Sequence, residues 1–225
     1  MDKLKNELIA NISHDLRTPL TMITGYAEAM RDLPGENTPE NVQVIVDEAN
    51  RLSTLVNDLL DISKIQSGVI SLDIKEFSIT ELINGILTRY NKLIAQENYN
   101  ITFEHGESTV VKGDEIKISQ VMYNLINNAI TYTGEDKKVV VRQIVEADKV
   151  RIEVENPGDK IPEDMLPLIW DRYYKANKEH KRAVVGTGLG LSIVKGILEA
   201  HKFSYGVSSQ ENKTVFWFDI ISTLN

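Results

Sequence analysis

From Asp2 to about Asp32, apolar residues recur at helical spacing, at Leu4, Leu8, Ile12, Leu16, Ile23, Ala27 and Met30, with no glycine before Gly25. The pattern predicts one long helix with a single apolar stripe. The stretch LPGENTP ends it, because Pro34, Gly35 and Pro39 do not continue a helix, whereas Asn37 or Thr38 can cap the next one. A second helix is predicted to about Gln66. Within it Ile45, Leu52 and Leu59 recur every seven residues, interleaved with Ala49, Leu55 or Val56, and Ile62, which makes a heptad seam. Two helices alone bury too little apolar surface to be stable. The expected first domain, 1–68, is therefore a long helical hairpin that dimerises into a four-helix bundle.

After Ser67 and Gly68 the period changes. Short alternating segments (VISLDI, ITFEH, KVVVRQIVE, KVRIEVEN, TVFWFDII) mix with helical ones (ITELINGILTRYNKLIAQEN, EIKISQVMYNLINNAITYT, LGLSIVKGILEAH). Strands and helices do not alternate regularly, so the expected class for 69–225 is α+β, with helices layered on one face of a sheet.

Composition narrows the functions this architecture can serve. The 225 residues suffice for one medium domain and a smaller one, and 33 acids against 25 bases leave a net charge of −8. That balance argues against nucleic acid as a partner, since a duplex-binding protein presents a basic face to phosphates. No apolar run approaches the roughly 20 residues needed to cross a bilayer, so no membrane contact is expected of this segment. The opening MDKLKNELIA lacks a signal peptide's apolar core. The absence of cysteine excludes disulfides and thiolate metal sites, and fits a reducing cytosol.

Three segments carry candidate chemistry. His14, in ANISHDLRTPL, projects off the Leu4–Leu8–Ile12 line and should be exposed. A lone exposed histidine is commonly just a solvated side chain. Its neighbours favour more: Asp15 could hold Nδ1–H and leave Nε2 as a nucleophile, and Pro19 has no N–H for the Asp15 carbonyl, which predicts a bend beside the reactive turn. Thr18, one turn on, offers a hydroxyl that could orient a water. In EIKISQVMYNLINNAITYT, Ile118, Val121, Met122, Leu125 and Ala129 form one stripe, and Asn124, Asn128 and Thr131 lie on its flank. Asparagine is a poor residue for a helix interior, so its repetition there points either to a magnesium ion held by amide oxygens or to helix–loop hydrogen bonding. In VVGTGLGLSIVKGILEAH, Gly186, Gly188 and Gly190 directly precede an apolar-periodic helix, where backbone N–H groups can meet phosphates. It is neither GxGxxG nor a Walker A loop. The basic stretch before it could close over phosphates, with Lys175 on the γ-phosphate, or be a plain mobile loop.

Taken in this order, the segments resemble the sensor histidine kinases of bacterial two-component systems over essentially the whole chain. SHDLRTPL is similar to the family's phosphoacceptor box, NLINNA to its asparagine box, IWDRYYKA to its aromatic box and GTGLGLSIV to its second glycine box. The resemblance implies a dimeric phosphotransfer hairpin followed by a two-layer α/β sandwich of the Bergerat ATP-binding type. It implies ATP and Mg²⁺ as ligands, His14 as the phosphorylated residue with Asp15 and Thr18 as its catalytic neighbours, Asn128 on the metal, and Asn124 beside the phosphates. Tyr132, Asn156, Gly158, Lys175, Gly186, Thr187, Gly188, Leu189 and Gly190 take further nucleotide-binding positions, and Trp170 and Tyr173 match the aromatic pair at the base of the lid. It also implies a homodimer, a response-regulator receiver domain as partner, a reverse phosphatase reaction using Thr18, and a cytoplasmic core of a protein anchored in the membrane. Two departures stand out. In ENPGDKIP, Asn156 replaces the family's Asp and Lys160 the second glycine of the first glycine box, and Thr131 stands where many relatives are basic. The Asn156 amide oxygen can still accept a hydrogen bond from an adenine amino group, so ATP binding should be retained. Lys160 either restricts a backbone turn or adds a charge near the nucleotide.

Overall fold

A computed structural model of the chain describes residues 2–67, 71–171 and 188–222, with backbone alone for 2–11 and 66. The chain divides into two compact units, Met1–Ser63 and Lys64–Asn225.

The first unit is a helical hairpin. Helix α1 runs from Asp2 to Asp32 without a break at Pro19, and α2 from Pro39 to Gln66. Thr38, not Asn37, caps α2: its Oγ1 accepts the Asn41 N–H at 3.2 Å, and Pro39 occupies the first helical position, where a missing N–H costs nothing. The less exposed described positions of α1 include Ile12, Leu16, Pro19, Ile23, Tyr26 and Met30, a four-three repeat flanked by Asp15 and Ala29, in which Tyr26 takes the place expected for Ala27. On α2 the inner line is Ile45, Glu48, Leu52, Leu55, Leu59 and Ile62, so Leu55 belongs to it and Val56 does not. A second line with the same repeat, Val42, Val46, Ala49, Ser53, Val56 and Leu60, remains exposed.

The second unit is built on a five-stranded sheet of order β2-β4-β5-β7-β6. Its strands are β2 (Asn100–Glu104), β4 (Lys138–Val145), β5 (Lys149–Asn156), β6 (Tyr205–Gln210) and β7 (Lys213–Ile221). Only the β2–β4 pair is parallel. A small second sheet pairs β1 (Lys75–Ser78) with β3 (Val110–Gly113). The helices are α3 (Ile79–Thr88), α4 (Asn91–Glu97), α5 (Glu115–Tyr132) and α6 (Gly190–His201). Alternate residues of β5 and β7, including Val150, Ile152, Val154, Phe216, Phe218 and Ile220, are buried beneath α5, which packs on β4 and β5 and lies against α6 and α3. This is the α+β arrangement expected, with strand and helix layers face to face.

Several local expectations need correction. The described part of VISLDI, residues 71–74, is not a strand: it lies outside any ladder, and the Asp73 N–H goes to the Asp114 carboxylate at 2.9 Å, while residues 69 and 70 lie outside the described residues. ITELINGILTRYNKLIAQEN is two helices, because the Arg89 and Tyr90 N–H groups close tight i−3 bonds onto Ile86 and Leu87 and end α3. β1, β3 and β6 were not expected, the first two being four residues long and the third the polar run YGVSSQ.

The sheet face turned away from the helices carries paired charges. Arg151 grips Asp219 with two bonds, at 2.7 and 3.0 Å, and Lys149 adds a third at 2.9 Å, while the Arg151 guanidinium lies over the Trp217 ring at 4.2 Å. Glu155 is held by Arg142 and by Lys213. Burial alone would push the Asp219 and Glu155 carboxyls up, but the hydrogen bonds and charges of these cations outweigh it and hold both below the usual carboxylate range. A carboxyl lowered in the folded state stabilises the fold above its unfolded pKa, and that stability is lost as pH falls through the folded value. Unfolding free energy from urea melts should therefore decline below about pH 4. Asp219→Asn should lower stability at pH 7 by about 1–3 kcal/mol and flatten that decline.

Candidate functional site

The reactive histidine expected from the sequence sits on α1. His14 is exposed, its side chain at 79% of full accessibility, and Nδ1 lies 3.5 Å from Oδ1 of the half-buried Asp15. A carboxylate at that distance favours the tautomer with the proton on Nδ1, leaving the Nε2 lone pair outward. Thr18 Oγ1 donates to the His14 carbonyl at 3.2 Å, and Pro19 is buried on the inner face. Because Pro19 has no N–H, the Asp15 carbonyl loses its usual acceptor role within the helix.

The remaining residues gather in the second unit around α5. Asp114 caps that helix by accepting the Lys117 N–H at 3.0 Å. Burial of Ile118, Val121, Met122, Leu125, Ile126 and Ala129 fixes the helix's rotation, and the flank so defined carries Asn124 and Asn128, both half-buried. Neither amide has a hydrogen-bond partner among the described residues, so the helix–loop bonding open from the sequence is not recorded for either. A Cβ placed on Gly190, the first residue of α6, would stand 3.2 Å from Asn124 Oδ1. The asparagine and glycine segments, 66 residues apart in sequence, thus meet side by side. Gly188 takes a left-handed φ of +68°, which a side chain adopts at a cost, while Leu189 is wholly buried and can offer a ligand only its backbone.

The first glycine box closes the other end of the same helix. Asn156 ends β5, buried to 2% exposure, and its Nδ2 donates to the Pro157 carbonyl at 2.9 Å, which leaves Oδ1 as the amide's acceptor. At Gly158 a Cβ would run into the Tyr132 carbonyl oxygen, so the two backbones meet where only glycine fits. Tyr132 is half exposed, and partial burial pushes its phenol up. Beside it an open groove of about 340 Å³ is lined by Thr133, Glu135, Asp136, Gly158, Lys160 and Glu211 among others. Lys160 is exposed there among acids, away from any tight turn.

Trp170 packs edge-on against Tyr205 at 4.9 Å and Phe216 at 5.6 Å as a core aromatic. Tyr173, Lys175, Gly186 and Thr187 lie outside the described residues. Among the described residues no cluster of three or more His, Cys, Asp or Glu could hold a metal. A hard divalent ion bridging nucleotide phosphates to one or two amide oxygens does not need such a cluster, and the Asn124–Asn128 flank fits that donor set.

Two structural partners of α5 escaped the sequence reading. Tyr90 donates its hydroxyl to Asn127 Oδ1 at 2.8 Å, and burial pushes that phenol well above its ordinary range. Asp114, besides capping, joins Asp73 and His201. Its place directly before the first helical residue, after Gly113, is an N-cap signal that could have been read.

Two family models match the chain. Residues 4–68 match the His Kinase A (phospho-acceptor) domain, and residues 113–223 the histidine kinase-, DNA gyrase B-, and HSP90-like ATPase. Among curated relatives, the sensor protein SrrB of Staphylococcus aureus strain N315 is 31% identical over 216 residues, covering 95% of this chain and 37% of the relative. The chain thus spans little more than a third of that relative's length. Among solved structures, the Acinetobacter baumannii histidine kinase AdeS superposes with a TM-score of 0.75 at 26% identity, covering 94% of this chain and 98% of that one. The catalytic domain of histidine kinase ThkA superposes with a TM-score of 0.59 at 34% identity, covering 67% and 98%. ThkA in complex with the response regulator protein TrrA gives a TM-score of 0.72 at 30% identity, covering 99% and 64%.

The Gly158 contact gives a direct test of this geometry. Gly158→Ala should destabilise the second unit by about 1–3 kcal/mol, because a backbone carbonyl cannot move aside. Gly85→Ala, on the exposed side of α3 with nothing within 4 Å of the new methyl, should stabilise it by about 1 kcal/mol in the same urea melts.

Proposed function

The chain belongs to the histidine kinases, and from that premise we propose that it moves the γ-phosphoryl group of ATP onto His14 and then to an aspartate of a response-regulator receiver domain. The observation that carries the reading is His14 itself, exposed on a helix with its Nδ1 facing Asp15. In that tautomer Nε2 attacks the γ-phosphorus in line, a nitrogen–phosphorus bond forms, and the bond to the departing ADP oxygen breaks. Asp15 steadies the imidazole and balances the positive charge it gains.

The second unit supplies the nucleotide. Asn124 and the first turn of α6 would face the phosphates, where the helix dipole and free N–H groups favour negative charge. Asn128 would hold Mg²⁺, which when bound offsets phosphate charge. Tyr132 and the Asn156 amide oxygen would receive the adenine, with Gly158 keeping the backbone close.

The chain acts as a homodimer through α2. The exposed line Val42, Val46, Ala49, Ser53, Val56 and Leu60 is apolar except at Ser53 and repeats in the four-three pattern of a bundle seam. ThkA is captured with its regulator TrrA, which supports a receiver domain as the phosphoryl acceptor. Thr18, one turn below His14, would orient water for the reverse, regulator-dephosphorylating reaction. No described helix is long and apolar enough to cross a membrane. The core would work in the cytoplasm, as part of a larger membrane-anchored protein; the relative described as a sensor protein is itself longer than this chain.

Incubation with γ-labelled ATP and magnesium should give acid-labile, alkali-stable label that His14→Ala abolishes. Label that is acid-stable, or that persists in the variant, would overturn the assignment. Thr18→Ala should slow dephosphorylation of the phosphorylated regulator at least about tenfold while labelling of His14 stays within about twofold. A parallel loss of both would remove the separate role of Thr18.

A further inference from the structure

Asp114 hydrogen-bonds to three separate segments of the second unit. Its side chain is buried, at 7% exposure for the residue, and each carboxylate oxygen has its own backbone donor. Oδ1 accepts the Lys117 N–H at 3.0 Å and caps α5. Oδ2 accepts the Asp73 N–H at 2.9 Å, from the segment that follows α2. The Asp114 backbone N–H donates to His201 Nε2 at 3.1 Å, and His201 Nδ1 donates in turn to the Ile197 carbonyl at 2.8 Å within α6. One residue therefore joins the start of the asparagine helix, the last turn of the glycine-box helix, and the chain arriving from the hairpin.

Capping alone does not account for this arrangement. An N-cap needs one oxygen, and a serine or asparagine supplies it as well as an aspartate. The second oxygen is spent on a donor 41 residues away, and that choice keeps residues 71–74 out of any strand. Lys75, bonded to the Asp73 carboxylate at 2.6 Å and raised chiefly by that bond, adds a positive charge near the Asp114 carboxylate. Burying an anion is costly, and here the two N–H bonds, the positive end of α5 and this cation offset the cost together.

We propose that Asp114 is a positioning residue for phosphoryl transfer: by tying Asp73 to α5, it fixes the connecting chain to the helix that carries the nucleotide ligands. This rests on the kinase reading above. A nucleotide bound in one unit reaches a histidine in the other only as accurately as the connection between them is anchored, and misplacement by an ångström can cost up to about a hundredfold in rate. The Asp73 tie acts on the transfer step and leaves nucleotide binding within the second unit alone.

The test measures, on the full chain, the rate of His14 labelling at saturating Mg-ATP, the Kd of a non-hydrolysable ATP analogue, and thermal stability. Asp114→Asn keeps a capping oxygen but cannot accept both N–H groups. Asp73→Pro removes the donor together with the Asp73 carboxylate that binds Lys75, leaving the cap and the carboxylate of Asp114 untouched. Both variants should label at least about tenfold more slowly, with Kd within about twofold of the original. Asp73→Ala keeps the N–H and should label at close to the original rate, a difference that a structural role for the Asp73 carboxylate would not produce. Unchanged labelling in Asp73→Pro, or affinity and rate falling together in both variants, would overturn the proposal. Analogue binding without any acid-labile label in the unaltered chain would instead overturn the kinase reading, and the proposal with it.

Discussion

The rotation of α5 about its own axis is the constraint on which the candidate nucleotide site depends. A helix packed on a sheet by one apolar stripe has no freedom to turn, because rotation by one residue would expose Leu125 or Met122 and bury an amide. With Ile118, Val121, Met122, Leu125 and Ala129 inward, Asn124 and Asn128 are carried to the flank at the border of the core. The partners of that flank are then set by backbone approach. Gly190 brings α6 against Asn124, and Gly158 brings the end of β5 against the Tyr132 carbonyl. Both contacts are at positions where a larger residue would push the elements apart, so the glycines complete what the apolar stripe begins.

The hairpin solves a different problem with the same periodicity. Each helix has to bury one line of side chains against its neighbour and keep His14 outside. A four-three repeat does this, since Ile12, Leu16 and Pro19 turn inward while His14 falls between them. Pro19 sits on the buried side, where its ring packs and its missing N–H frees the Asp15 carbonyl within one turn of the imidazole. The second line on α2, apolar except at Ser53 and exposed, is more surface than a lone hairpin keeps in water without cost, which is why a second copy enters the reading.

Most of this architecture was legible because it is written in local period. Both long helices, α5, α6 and four of the seven strands follow from spacing alone, and the asparagine and glycine segments announce themselves by residue type. Illegible features depend on partners distant in sequence. Residues 71–74 alternate like a strand, but Asp73 finds a carboxylate 41 positions away before it finds a neighbouring strand. β6 carries a glycine and three polar residues, and is a strand because Gly206 makes room for the Trp217 indole of β7. Leu55 and Val56 are equivalent by spacing, and only the packed hairpin separates them. His201 and Tyr90 gave no local signal, since each acts through one hydrogen bond to α5 or its cap.

Charge remains the harder question for a chain of net −8 that is to hold a polyanion. A field of that sign repels ATP unless the acids are kept from the phosphates or neutralised. The proposed pose would do both. On the outer sheet face Asp219 and Glu155 are locked to arginine and lysine, so they add little net field. Among the described residues, those that would face the phosphates in the proposed pose are neutral: two asparagine amides, glycine backbone and the positive end of α6. The unexpected acids, Glu135, Asp136, Asp159 and Glu211, border the groove at the Gly158 end, which in the proposed pose receives the uncharged base, and Lys160 stands among them. Asn156 fits the same logic. In the proposed pose a neutral amide would accept the base's amino hydrogen without adding another buried negative charge, so the departure from aspartate would leave base recognition in place.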